Sequence, residues 1–168
     1  MKKIKTNKIE EWKLNMKLDE ILSKKEIILE NERETKKIAK DILNDLGEID
    51  TIVLTGELGT GKTKFVEGVL EKYNAENQIS SPTFTIVNEY VVKGNDFKKI
   101  YHMDVYRLES AEEIFDAGID ECFGEGLCLI EWGEMIEEIL SGKYLKITIK
   151  KIDTTNKRVM TVELKENN

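Results

Sequence analysis

The stretch TIVLTGELGTGKT, residues 51–63, sets an apolar run against three glycines, a lysine and a threonine, and the helix-like segment KFVEGVLEKY (64–73) follows. The spacing Gly56, four residues, Gly61-Lys62-Thr63 fits the phosphate-binding pattern G-x-x-x-x-G-K-[ST]. TIVLT reads as a buried strand and Lys62 to Tyr73 as a helix with Phe65, Val66, Val69 and Leu70 turned inward. Strand, glycine loop and helix in that order are the context the pattern requires; a plain strand-to-helix turn is the alternative. In such a loop successive backbone N–H groups converge on a phosphate, and the helix adds its positive N-terminal end. A Cβ would block that approach, which is why glycines recur. Lys62 supplies a cation able to bridge phosphate oxygens, and Thr63 a hydroxyl able to ligate Mg²⁺. Nucleotide contacts are therefore expected along Gly56, Glu57, Leu58, Gly59, Thr60, Gly61, Lys62, Thr63 and Lys64.

Outward from the loop, EIIL (26–29) reads as a short strand. The helix that follows has Asn31 as N-cap, Glu34 as its capping-box partner, and an apolar stripe of Ile38, Ala39, Ile42, Leu43 and Leu46 that stops near Gly47. FTIVNEYVV (84–92) and KKIYHMDVY (98–106) flank KGNDF as a β-hairpin. SAEEIFDAG predicts a helix with a Ser110–Glu113 capping box ending at Gly118, LCLIEW (127–132) a buried strand, and GEMIEEILSG a short helix. YLKITIKKI and RVMTVEL, joined by DTTNK, form a second hairpin. The expected fold class is α/β: a three-layer sandwich of the P-loop NTPase type, with a mixed, mainly parallel central sheet and β-hairpin elements. Residues 1–24 read as a partly helical, amphipathic extension, and 25–168 as the P-loop ATPase domain.

Composition narrows the partners. The 168 residues are 40% apolar and 35% charged, with a net charge of −7 and no apolar run near membrane-spanning length. An acidic chain is poorly suited to gripping a phosphate backbone by itself. The start, MKKIKTNKIEEWKLNMKLDE, has no continuous hydrophobic segment of the signal-peptide kind, so a cytoplasmic location is expected. Cys122 and Cys128, with one histidine, His102, in the whole chain, do not supply a zinc ligand set and read as unpaired thiols.

Magnesium needs a carboxylate, usually at the end of a neighbouring buried strand. Glu131 closes the apolar run Leu127 to Ile130, and Asp104 follows Ile100 to Met103. Strand alternation puts His102 and Asp104 on one face with Ile100, where both can look toward one site. Ser80, Ser81, Thr83 and Thr85 surround Pro82, the only proline, in the position of a first switch segment whose hydroxyls meet a γ-phosphate, metal or attacking water. Thr83 and Thr85 are the candidates there.

The set GELGTGKT, SPTFTIVNEY, YHMDVYRL, Gly118-Ile119 and LIEWGE, in this order over residues 26–163, closely resembles the TsaE (YjeE) family. Members of that family are the ATPase component of the bacterial machinery that makes threonylcarbamoyladenosine, at adenosine 37 of tRNAs reading ANN codons. The resemblance implies that Gly59 to Thr63 hold ATP phosphates, that Thr63 and Glu131 ligate Mg²⁺, and that Asp104 is the acid needed for hydrolysis, with Lys62 and Thr83 beside it. It further implies that Trp132 borders the nucleotide and that Glu32, Thr35 and Arg158 contact it. It implies TsaB and TsaD as partners, weak ATPase activity alone, and tRNA reached only through that complex. The segment 1–24 is longer than the family pattern needs.

Three rival classes remain. A small-molecule kinase would normally use several arginines around the transferring phosphate, and only Arg33, Arg107 and Arg158 are present. A GTPase would be expected, by resemblance, to carry Asn-Lys-x-Asp, and Asn156-Lys157-Arg158-Val159 lacks the acid. A nucleotide-gated adaptor would bind ATP as a conformational ligand.

Overall fold

The computed structural model describes residues 15–75, 86–93 and 96–168. Seven strands, β1 (Ile27–Leu29), β2 (Thr51–Thr55), β3 (Val87–Val91), β4 (Lys99–Asp104), β5 (Leu127–Glu131), β6 (Gly142–Lys151) and β7 (Arg158–Asn167), pair in the order β1-β7-β6-β2-β5-β4-β3. The four inner neighbours β6, β2, β5 and β4 run parallel. β3 is antiparallel to β4, β7 to β6, and β1 to β7, so β1 points with the inner strands and only β3 and β7 against them. The sheet is thus mixed and mainly parallel, and both predicted hairpins are present as β3–β4 and β6–β7.

Every residue of β2 and β5 is buried, as expected for strands covered on both faces. Alternation sorts their side chains into two layers. Ile52, Leu54, Leu127 and Leu129 join one apolar cluster with Ile38, Ile42, Phe65 and Val69, whereas Val53, Cys128 and Ile130 join a second with Met103, Ile114 and Ile136.

The first layer is built by α2 (Glu32–Ile42) and α3 (Lys62–Lys72), joined by α1 (Leu18–Ser23). Met16, Leu18 and Ile21 are buried in the same cluster. The buried Asp41 carboxylate ties this segment down, accepting the Met16 N–H at 3.3 Å and the Lys37 ammonium at 2.6 Å. α2 and α3 meet at Gly68, where a Cβ would lie 2.6 Å from Lys36 Cα. Asn31 caps α2, its side chain accepting the Glu34 N–H at 3.3 Å. The reciprocal bond differs from a strict capping box: Glu34 accepts from Glu30 N–H, at 2.6 Å, because the extended Asn31 backbone brings the preceding amide within reach.

The opposite layer is less helical than the sequence predicts. α4 (Glu113–Asp116) is a single turn, although Glu113 accepts the N–H groups of Glu109 and Ser110 at 2.9 and 3.3 Å and the segment stops at a left-handed Gly118. GEMIEEILSG forms two 3-10 turns, Gly133–Met135 and Glu137–Ile139, rather than a helix. Its chain runs against the sheet so closely that a Cβ on Gly133 would stand 2.7 Å from Val53 Cγ1, and burial of Ile136 and Leu140 outweighs local helix preference. Both cysteines are free thiols, and burial raises the pKa of Cys128 far above its ordinary range. Among the described residues no helix is long and apolar enough to cross a membrane.

Candidate nucleotide-binding site

β2, β5 and β4 are parallel, so their C-terminal ends open at one edge of the sheet, where α/β folds place ligands. The glycine loop leaves β2 there. Gly56 has φ +136°, and a Cβ on it would fall 2.2 Å from the Ile149 carbonyl oxygen of β6. No other residue fits that approach. Gly61, at φ +112°, turns the chain into α3.

Within the loop the polar groups close on one another. The Thr60 hydroxyl donates to Glu57 O at 3.0 Å. Lys62 is only 4% exposed, and its Nζ donates to Gly56 O at 2.5 Å and Glu57 O at 3.0 Å. The same ammonium lies 3.9 Å from the centre of the Trp132 ring, a cation–π contact. Burial lowers the Lys62 pKa below its ordinary 10.5, with the carboxylates of Glu131, Glu134 and Asp104 acting in the opposite direction.

Glu131 ends β5 in register with Leu54 of β2 and Asp104 of β4. Its side chain is 5% exposed and fully engaged. The Thr63 hydroxyl lies 3.1 and 3.3 Å from its two oxygens, and His102 Nε2 is 2.8 Å from Oε1. Asp104, half-buried, accepts the Tyr106 N–H at 3.2 Å. After Glu131 the strand breaks sharply: Trp132 takes φ +61°, a conformation uncommon for a non-glycine residue, and its indole packs 4.8 Å from the Tyr106 ring.

Leu58 to Lys64, Asp104, Glu131, Trp132, Glu32, Thr35, Asn156 and Arg158 line one cleft of about 290 Å³. Glu32 and Thr35 come from the start of α2, and Arg158 from the start of β7, where its Nε donates to Thr60 O at 2.9 Å. Lys64 pairs with Glu67 at 2.9 Å and stands 3.7 Å from Glu32. Gly56 and Glu57 are not on this cleft; they line a second, more open one of about 590 Å³ with Thr55, Leu58, Trp132, Glu134, Lys146 and Thr148. Thr83 and its neighbours Ser80 to Thr85 lie outside the described residues. Two features were not assigned from sequence: the direct His102–Glu131 bond, for which only strand alternation offered a signal, and Asn156 in the cleft, which entered the reading of the sequence only as the start of an incomplete Asn-Lys-x-Asp element.

The donor set suits a hard cation. Thr63 and Glu131 offer oxygen ligands in mutual contact beside the loop. Among the described residues no group of three or more His, Cys, Asp or Glu side chains is gathered as a metal site. Mg²⁺ bound with a nucleotide does not need one, since it takes one or two protein ligands and completes its shell with phosphate oxygens and water.

The family model for Threonylcarbamoyl adenosine biosynthesis protein TsaE matches residues 29–160. The tRNA threonylcarbamoyladenosine biosynthesis protein TsaE of Rickettsia felis is 40% identical over 137 residues, covering 81% of this chain and 78% of its own. That of Bacillus subtilis is 44% identical over 122 residues, covering 72% and 74%. The crystal structure of Bacillus subtilis YdiB superposes with a TM-score of 0.61 at 35% identity, covering 85% of this chain and 86% of that one, and fits a P-loop NTPase-like fold. The phosphate-loop sandwich, with its carboxylates at the ends of β4 and β5, belongs to the TsaE family.

Proposed function

We propose that this chain is a Mg²⁺-dependent ATPase that drives or resets a TsaB–TsaD complex during threonylcarbamoyl transfer to adenosine 37 of tRNA. The observation that carries this reading is the contact of Thr63 with Glu131 next to Lys62, at the mouth of the glycine loop. A loop that merely turned a strand into a helix would not need a buried cation and a buried carboxylate on its two sides.

The loop amides and Lys62 bind and orient the phosphates. Lys62 exchanges the carbonyl oxygens of Gly56 and Glu57 for phosphate oxygens, a swap of neutral for charged acceptors that strengthens the bond. Thr63 and Glu131 would hold Mg²⁺, which would supply neutralisation of the phosphate charge. Asp104, beside Glu131 across the β4–β5 pair, orients or deprotonates the attacking water. Trp132, Glu32, Thr35 and Arg158 form the remaining walls for the nucleotide. Thr83 is assigned from sequence alone to a switch segment that responds to the γ-phosphate. The acidic composition fits a protein that acts on partner proteins and reaches tRNA through them. We place it in the cytoplasm, where that tRNA chemistry occurs.

Phosphate release from ATP, measured with the purified chain alone and with TsaB, TsaD and tRNA, tests this reading. Slow turnover alone and faster turnover with the partners are expected. No acceptor-free phosphate release in any combination would refute it. Thr83→Ala is expected to keep ATP affinity and lose the partner stimulation.

A further inference from the structure

We propose that His102 is a positioning residue that holds the Glu131 carboxylate in place for Mg²⁺. This rests on the Mg²⁺–nucleotide reading above. His102 lies on β4, is 3% exposed, and places Nε2 2.8 Å from Glu131 Oε1. A carboxylate can only accept, so Nε2 carries the proton and donates.

Glu131 has two hydrogen-bond donors in this site, and they are not equivalent. Thr63 Oγ1 lies 3.1 and 3.3 Å from the two oxygens and is itself an intended cation ligand, so its bond to Glu131 competes with that role. His102 sits on the adjacent strand, two residues before Asp104, and bonds Oε1 alone. It can therefore keep Oε1 anchored independently of Thr63, whose contact is shared between the two oxygens. A buried, unanchored carboxylate would lose both its orientation and the hydrogen bond that offsets its desolvation. Partners of this kind, behind a metal ligand, commonly govern metal affinity by 10–100-fold.

The test is ADP affinity measured by calorimetry in Mg²⁺ and in chelator, for the wild type, His102→Leu and His102→Gln. In His102→Leu the Mg²⁺-dependent gain in ADP affinity is expected to fall roughly tenfold or more. Metal-free ADP affinity should be unchanged, which also shows that the variant folds. His102→Gln, which retains a side-chain N–H donor, should recover much of the gain. An undiminished Mg²⁺ gain in His102→Leu would overturn the proposal, as would equal losses with and without metal, which mark a purely structural role. If wild-type protein binds ADP with no Mg²⁺ gain at all, the Mg²⁺ reading itself fails and takes this assignment with it.

Discussion

The Thr63 hydroxyl lies 3.1 Å from Glu131 Oε1, linking the first turn of α3 to the end of β5 across 68 positions of sequence. A residue of the glycine loop and a residue of a separate strand thereby face one point, beside the buried Lys62. Function and stability can be separated experimentally around it.

Glu131→Ala is expected to disrupt the Mg²⁺ requirement of turnover, because among the described residues it removes the carboxylate bonded to Thr63. Normal Mg²⁺-dependent turnover in that variant would make Glu131 a bystander. Asp104→Asn is expected to behave differently, lowering kcat by roughly 10²- to 10⁴-fold with little change in ADP affinity. Weak binding with normal turnover at saturation would contradict the assigned role.

Lys62→Ala is expected to weaken ATP binding about ten- to a hundredfold, since a charge-assisted contact contributes about 1.5–3 kcal/mol. Calorimetric titration checks this. Unchanged affinity would mean that Lys62 stays on the carbonyls of Gly56 and Glu57 when nucleotide binds.

Gly68→Ala should destabilise the protein by about 1–3 kcal/mol in urea denaturation, even though alanine is the better helix former. The added methyl would meet the Lys36 backbone, with Cα at 2.6 Å and O at 2.7 Å, and a backbone cannot swing aside as a long side chain can. A stabilised variant would show that α2 and α3 separate without cost.

Glu71 receives hydrogen bonds from Lys36 at 2.6 Å and Lys40 at 2.8 Å, and these contacts hold its carboxyl below the ordinary value of 4.5. Because the folded pKa is depressed, the contribution to stability is present above about 4.5 and lost as pH falls through the folded value. Glu71→Gln should therefore cost about 1 kcal/mol or less at neutral pH, the scale of partly exposed pairs, with the difference closing in acid. Lys36, raised by the same Glu71 bond, marks the other limit, where the pair weakens as pH rises through a value above 10.5. A penalty that persists unchanged at low pH would assign the effect to packing.

What the sequence determined by itself was whatever local chemistry encodes. Three glycines at fixed offsets followed by Lys62-Thr63 predict the loop, the run Thr51–Thr55 its buried strand, and the Phe65, Val66, Val69 and Leu70 spacing the helix behind it; alternation and turn residues predict both hairpins. These signals are legible because each depends on residues a few positions apart. The second layer was not legible in the same way: SAEEIFDAG and GEMIEEILSG carry helical patterns, yet the first forms only one short helical turn, and in the second close packing of Gly133 on Val53 and burial of Ile136 leave two 3-10 turns. Only the tertiary structure decided that His102 and Thr63 converge on Glu131, that Arg158 reaches Thr60, that Asp41 holds the backbone of Met16, and that Gly68 packs against the Lys36 backbone of α2. Such meetings join residues tens of positions apart, and the free energy that selects them comes from burying both faces of the whole sheet, which no local window of sequence contains.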